Sequence, residues 1–326
     1  MIERVELPHW PHIPLGALLA AVCICCACSL ATMRSTAAAP LTAEQTAQLW
    51  VQPPDITARD LFWGPGGEER APKLDTVYRV TAYDVTGFSR GYDAVDEAGH
   101  NWRIKVGPEV QPEIVASRLL WAVGFHQPAI YFLQGWKIIG GTPADQGVPA
   151  RFRLKDGYDS AGEWAWQENP YVGTREFKGL LVAQLIVNNW DLKTSQNRIY
   201  KIQDPSVQPN TQFVVQDVGA TLGGTRWPTG NRDKIEDFES QRLVKRVDRS
   251  NVVFDYHGRH RELFRDIAPA DVVWMCRLFA QLTDRQWQDA FRAANYQQPL
   301  AGRFIAHLKT KVQQGLDLAP QAGIKP

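Results

Sequence analysis

An almost wholly apolar run, Phe177 to Val187, leads directly into Asn188-Asn189-Trp190-Asp191-Leu192-Lys193-Thr194-Ser195-Gln196-Asn197, and Ile199-Tyr200-Lys201-Ile202 follows. The first segment reads as a central buried helix with Thr174 as its N-cap. The last reads as a strand by its aromatic and β-branched content. A polar cluster pinned between two buried elements must emerge at one end of the core, and a plain surface turn does not require so many Asn, Asp and Lys side chains. Phe213-Val214-Val215 forms a hairpin with 199–202 around the polar loop 204–211, and Asp217-Val218-Gly219 ends it.

The upstream residues follow a different period. Val77–Val85, Tyr92–Val95 and Trp102–Val106 alternate as strands around the turns Gly87-Phe88-Ser89-Arg90-Gly91 and 96–100, which predicts an antiparallel meander. Pro112–Gly124 switches to a helical stripe of Ile114, Leu119, Leu120 and Val123, and Ala129–Ile139 and Ala150–Leu154 are further strands. Residues 156–170 are a loop carrying Trp164 and Trp166. Segments 271–282, 284–294 and 300–316 read as helices, Arg242, Lys245, Arg246 and Arg249 as a solvated helix face, and His257-Gly258-Arg259-His260 as a solvated loop. Strands first and helices later predict an α+β domain of two lobes with the site between them. The antiparallel β-rich N-lobe spans 76–150, the mostly helical C-lobe 151–319, and 320–326 is a tail.

Composition narrows the function classes. With 44% hydrophobic residues and twelve Trp in 326 residues the chain can bury a large core, and a net charge of +1 gives no bulk attraction to nucleic acid. Cys23, Cys25, Cys26 and Cys28 share one apolar segment, and Cys276 stands alone in Val272–Cys276 as an inert core residue. Residues 13–33 carry no charge, so 1–39 reads as a signal peptide or membrane anchor, with Ala27-Cys28 as a possible lipidation point. That places the protein on the periplasmic side, exported or held at a membrane, or in the cytoplasm if the start codon is misplaced. Residues 40–75, rich in Ala, Pro and Gly, read as a linker wrapping into the domain.

Asp191, Lys193, Asn197 and Asp217 stand in the order a phosphoryl-transfer site uses: a carboxylate for the attacking hydroxyl, a cation for the moving charge, then an amide and a carboxylate for the metal. Lys105 on a strand and Glu113 on the following helix can pair across a cleft to fix phosphates, with Glu109 as a rival partner placed in the loop. Gly87 and Gly91 belong to a turn able to lie over phosphates. The same turn reads G-x-S-x-G, which would make Ser89 a hydrolase nucleophile, but no helical stripe follows Gly91.

From Val77 to Leu222 the pattern resembles the atypical protein-kinase-like families: HipA-type kinases, phosphatidylinositol kinases and Fam20-like secreted kinases. It also resembles uncharacterised bacterial proteins with NNWDxK and DxGA motifs. The resemblance implies a kinase-like fold using ATP and Mg²⁺ to phosphorylate a hydroxyl acceptor it does not identify. In that assignment Lys105 contacts the ATP phosphates and Glu113 holds it. Asp191 orients the acceptor with Lys193 near the γ-phosphate, and Asn197 and Asp217 bind the metal. The family's metal-binding Asn comes five residues after the catalytic Asp; here that position is Gln196, and Asn197 is sixth. A pseudokinase-type binding module at the membrane therefore stands as the alternative.

Overall fold

Strict alternation along Asn101–Val106 (β3) sets the layout of the sheet-rich half. Trp102, Ile104 and Val106 enter one core, while Arg103 and Lys105 fall on the opposite face. In this computed structural model, which describes residues 40–84 and 88–323, the chain from Leu41 onward forms one compact unit. Val77–Asp84 (β1), Arg90–Val95 (β2) and β3 make the meander, and Ile130–Leu133 (β4), Lys137–Ile139 (β5) and Ala150–Leu154 (β6) complete a six-stranded sheet in the order β4-β6-β3-β2-β1-β5. All pairs are antiparallel except β1 with β5. Because β6 lies in register against β3, the sheet-rich half runs to Leu154, past the expected boundary at 150.

The expected single strand 129–139 is broken at Gly135, whose φ of 80° suits glycine, and its halves lie at opposite edges of the sheet. Flat, six strands would hold those edges roughly 24 Å apart. Four residue steps from Leu133 to Lys137 span at most about 14 Å. The sheet must therefore curl until its edges approach. Its interior is filled by aromatic side chains, with the Tyr78 and Trp136 rings 4.8 and 5.4 Å from that of Phe152.

A larger core joins Val110–Ala122 (α2) to the helical half. Here Arg175–Ile186 (α3), capped by the Thr174 hydroxyl accepting from the Phe177 amide, packs with Pro269–Phe279 (α5) and Gln298–Leu316 (α7), while Asp284–Arg292 (α6) packs on α2 and α7. Residues 40–75, expected as linker, form the short helix Ala43–Ala47 (α1) and send Leu49, Ile56 and Leu61 into this core. The Trp50 indole donates to Val123 O at 2.7 Å, the Phe213 amide donates to Gln48 O, and Gln286 of α6 donates to Ile56 O and Arg59 O. The segment is a packed strap.

Tyr158–Gly162 (β7), Asn197–Ile202 (β8) and Thr211–Val215 (β9) form a three-stranded sheet. The short helix Ile235–Glu239 (α4) follows. The expected helix face of Arg242 to Arg249 is instead a hairpin, Val244–Asp248 (β10) with Asn251–Phe254 (β11), because Val244 pairs with Phe254 and Val247 with Val252 and all four pack on the core. Cys276 is fully buried, and burial pushes its thiol pKa far up, as an inert core thiol requires. Among the described residues no helix is long and apolar enough to cross a membrane, and the leader 1–39 lies outside them.

Helix α5 packs tightly over Gly179 of α3, where a Cβ would lie 2.2 Å from the Trp274 ring and 2.8 Å from the Met275 methyl. Gly179→Ala should therefore cost about 1–3 kcal/mol by overpacking, measured by denaturant unfolding. An unchanged midpoint would contradict this packing.

Candidate functional site

The face of β3 that turns away from the curled sheet's core carries Lys105, and β6 places Arg151 directly across from it. Both reach Glu113 in the first turn of α2: Lys105 Nζ lies 2.8 Å from Oε2 and Arg151 Nε 2.9 Å from Oε1. Glu113 has no solvent exposure, so a charged carboxylate there needs a cation at each oxygen. Lys105 Nζ also donates to Asp217 Oδ2 at 2.9 Å, where β9 gives way to the loop beyond it. Burial opposes the Lys105 charge, but Asp217 and Glu113 outweigh it and raise the ammonium's pKa. Burial pushes the Asp217 carboxyl up, yet Lys105 by charge and hydrogen bond, helped by Arg151, holds it well below the usual range. About a third of the Asp217 side chain remains open to the cleft.

The other end of the site grows from the C-terminus of α3. Asn188 takes the left-handed conformation (φ 56°), and its amide donates to Gly223 O at 2.7 Å. Beneath it Lys311 of α7, fully buried, donates to Leu185 O and Ile186 O at 2.8 and 3.1 Å and to Asn188 Oδ1. It satisfies carbonyls that the helix end leaves open. Burial lowers the Lys311 ammonium to about 7. The chain then presents Asp191, whose Oδ1 lies 3.1 Å from Arg259 Nε and whose Oδ2 lies 2.6 Å from Lys193 Nζ and 3.2 Å from Gln196 Nε2.

These ends share one cleft of about 940 Å³. Gly91, Lys105, Asp191, Lys193 and Asp217 line it, and Glu113 sits behind Lys105. Gly87 lies outside the described residues. Asn197, expected as a metal ligand, does not reach the cleft. Arg198 and Tyr200 of β8 face it, so alternation turns Asn197 the other way, where it is fully buried and donates to Trp164 O at 2.9 Å. Gln196, one residue earlier, is the amide on the cleft side. Glu109, expected in the loop, is the N-cap residue of α2 and touches Lys105 as well. The Ser89 turn joins two strands with no helix after it, and among the described residues no His lines the cleft, so the nucleophile-elbow geometry is not met.

Sequence reasoning missed three arginines. Arg151 had a signal: Arg151-Phe152-Arg153 alternates, putting both cations on the face opposite a core Phe. Arg259 lay inside the segment taken for a solvated loop, although its amide donates to Trp190 O and its guanidinium stacks 4.0 Å from the Trp227 ring. Arg232 carried no sequence signal. It crosses the cleft, with its guanidinium 4.0 Å from the Phe88 ring of the β1–β2 turn.

No protein-family model matches the chain, and no curated protein does. Among solved structures it is similar to the Helicobacter pylori proinflammatory kinase CtkA, at 9% identity and a TM-score of 0.46, over 76% of this chain and 97% of that one.

Because Asp217 titrates below its unfolded value of 3.8, the stability its charge contributes is full above about pH 4 and is lost as pH falls further. The stability gap between wild type and Asp217→Asn, read by thermal unfolding, should narrow as pH drops from 5 to 2. A gap independent of pH would contradict the pairing with Lys105.

Proposed function

We propose that the cleft binds ATP with Mg²⁺ and transfers a phosphoryl group to a hydroxyl acceptor. One observation carries the reading: the Lys105 ammonium, held from behind by Glu113, meets Asp217 across the cleft. A buried ion pair is costly unless both partners are fully engaged, and here a third of the Asp217 side chain is left open where a ligand would sit. The donor set suits an oxyanion, since Lys105, Arg232 and the Ser89 hydroxyl all line the cleft. Among the described residues no group of three His, Cys, Asp or Glu could hold a metal on its own. That fits Mg²⁺, which typically takes one or two carboxylates and draws its other ligands from phosphates and water.

In this reading Asp217 would hold the metal, with the Gln196 amide as the neighbouring cleft-side oxygen in place of Asn197. When bound, the nucleotide would supply the phosphoryl group and Mg²⁺ would offset its charge. Lys105 fixes the phosphates, and Glu113 with Arg151 keeps its ammonium in one position. Asp191 orients the acceptor hydroxyl through Oδ2 and accepts its proton. For that, Lys193, with 45% of its side chain exposed, moves from Asp191 toward the developing charge. Arg259 remains on Oδ1 and sets the carboxylate's angle.

A second reading, a nucleotide-binding module without transfer, is favoured by two features. Asn197 is turned away from the cleft, and both Asp191 oxygens are covered by cations. Calorimetric titration of the full chain with Mg·ATP, together with ³²P transfer to itself or to a generic acceptor, tests both readings. Lys105→Met and Asp217→Asn should abolish nucleotide binding. Asp191→Asn should retain it and lower transfer by roughly 10²–10⁴-fold. Binding without transfer in the wild type selects the second reading, and transfer unaffected by all three substitutions overturns both.

A further inference from the structure

We propose that the Glu109 carboxylate is a built-in stand-in for a phosphate: it fills the oxyanion subsite of the cleft from within the chain, and a phosphoryl group must displace it to bind. This rests on the binding half of the function proposed above and not on transfer. Two hydrogen-bond donors and a guanidinium cation converge on this one carboxylate. Its Oε2 accepts the Ser89 hydroxyl at 2.9 Å and lies 3.3 Å from Lys105 Nζ, and its Oε1 lies 3.3 Å from Arg232 Nε. A hydroxyl from a turn, an ammonium and a guanidinium are the donor set that takes a phosphate oxygen cluster. Glu109 is also the N-cap residue of the thirteen-residue α2, so this position is further favourable to negative charge.

The carboxylate is not needed to neutralise Lys105. Glu113 and Asp217 already approach Nζ at 2.8 and 2.9 Å, and Glu109 makes the longest of the three contacts. Arg232 is the cation that depends on it. Its guanidinium lies 4.0 Å from the Phe88 ring and 5.4 Å from the Trp190 ring, and Glu109 is the carboxylate it meets. The fit is close on the remaining side as well: a Cβ on Gly219 would come within 2.7 Å of the Glu109 Cβ. The side chain is thus wedged at the cleft wall, with its charged end in the cleft. An internal anion of this kind lowers apparent affinity by the fraction of time it occupies the subsite.

Inorganic tripolyphosphate, titrated calorimetrically into the full-length protein at low ionic strength, reads the subsite directly. Glu109→Gln, which keeps the shape and removes the charge, should tighten binding by about tenfold or more. Adding Arg232→Gln should cancel the gain. Asp159→Asn, which removes another cleft-lining carboxylate, should change affinity less than about twofold, as expected for a screened charge at a distance. Unchanged or weaker binding by a Glu109→Gln protein that melts like wild type would overturn the proposal, as would an equal gain from Asp159→Asn. If Glu109→Gln does not fold, Glu109→Asp, which withdraws the carboxylate by one methylene, should also tighten binding, and an unchanged Kd there overturns the proposal equally. Tighter tripolyphosphate binding without any ATP-dependent transfer would remove the transfer function and leave the stand-in. Transfer with no effect of Glu109 would do the reverse.

Discussion

Glu113 is a carboxylate with no solvent exposure, and the rest of the site depends on how its charge is balanced. Lys105 covers one oxygen and Arg151 the other, from neighbouring strands. Removing either cation would leave a buried charge uncompensated, a defect worth about 3–5 kcal/mol in comparable cases. The arrangement ties α2 to β3 and β6 together, so the Lys105 ammonium is held in position before any ligand arrives. Arg151 also donates to Arg103 O, which fixes it to the backbone of β3 and leaves little room for α2 to swing away.

The opposite wall is fixed by different means. The end of α3 is closed by Lys311, a buried ammonium with three acceptors matched to its three N–H groups, and by the left-handed turn at Asn188. Asn188 reaches Gly223, so the loop after β9 is tied to the loop that bears Asp191. Buried polar networks thus stand behind the elements that carry Lys105 and Asp191 to one open cleft. The strap at 41–61 adds a third tie, since it holds the end of α2 through Trp50, β9 through Gln48 and α6 through Gln286.

Where a residue's environment is local, the sequence was readable. Trp102, Ile104 and Val106 alternate with Arg103 and Lys105, and that pattern places the ammonium on the outer face of the sheet. The apolar run before Asn188 marks the buried helix that ends at the site. Other features were hidden because they depend on pairing between distant segments. Gly135 marks the break within 129–139, but no local signal sends its two halves to opposite edges of a curled sheet. Asn197 shows how fine the margin is: it differs from Gln196 by one residue, but strand alternation turns the two to opposite sides. Charge-rich Arg242–Arg249 fits a helix surface and a hairpin equally well, and the Val residues that decide between them do so by meeting the core. Arg232 and Arg259 come from loops, where nothing in the spacing announces a partner.

The central claim is that the ammonium of the sheet-rich half and the carboxylate of Asp217 meet around the phosphates of one bound nucleotide. A crystal structure of the protein with a non-hydrolysable ATP analogue and Mn²⁺, with the metal located by its anomalous scattering, tests this most directly. The account predicts Mn²⁺ coordinated by Asp217 and by analogue phosphate oxygens, with Lys105 in hydrogen-bond contact with the same phosphates. Analogue bound elsewhere, or metal and phosphates in the cleft without contact to Asp217 and Lys105, would contradict it.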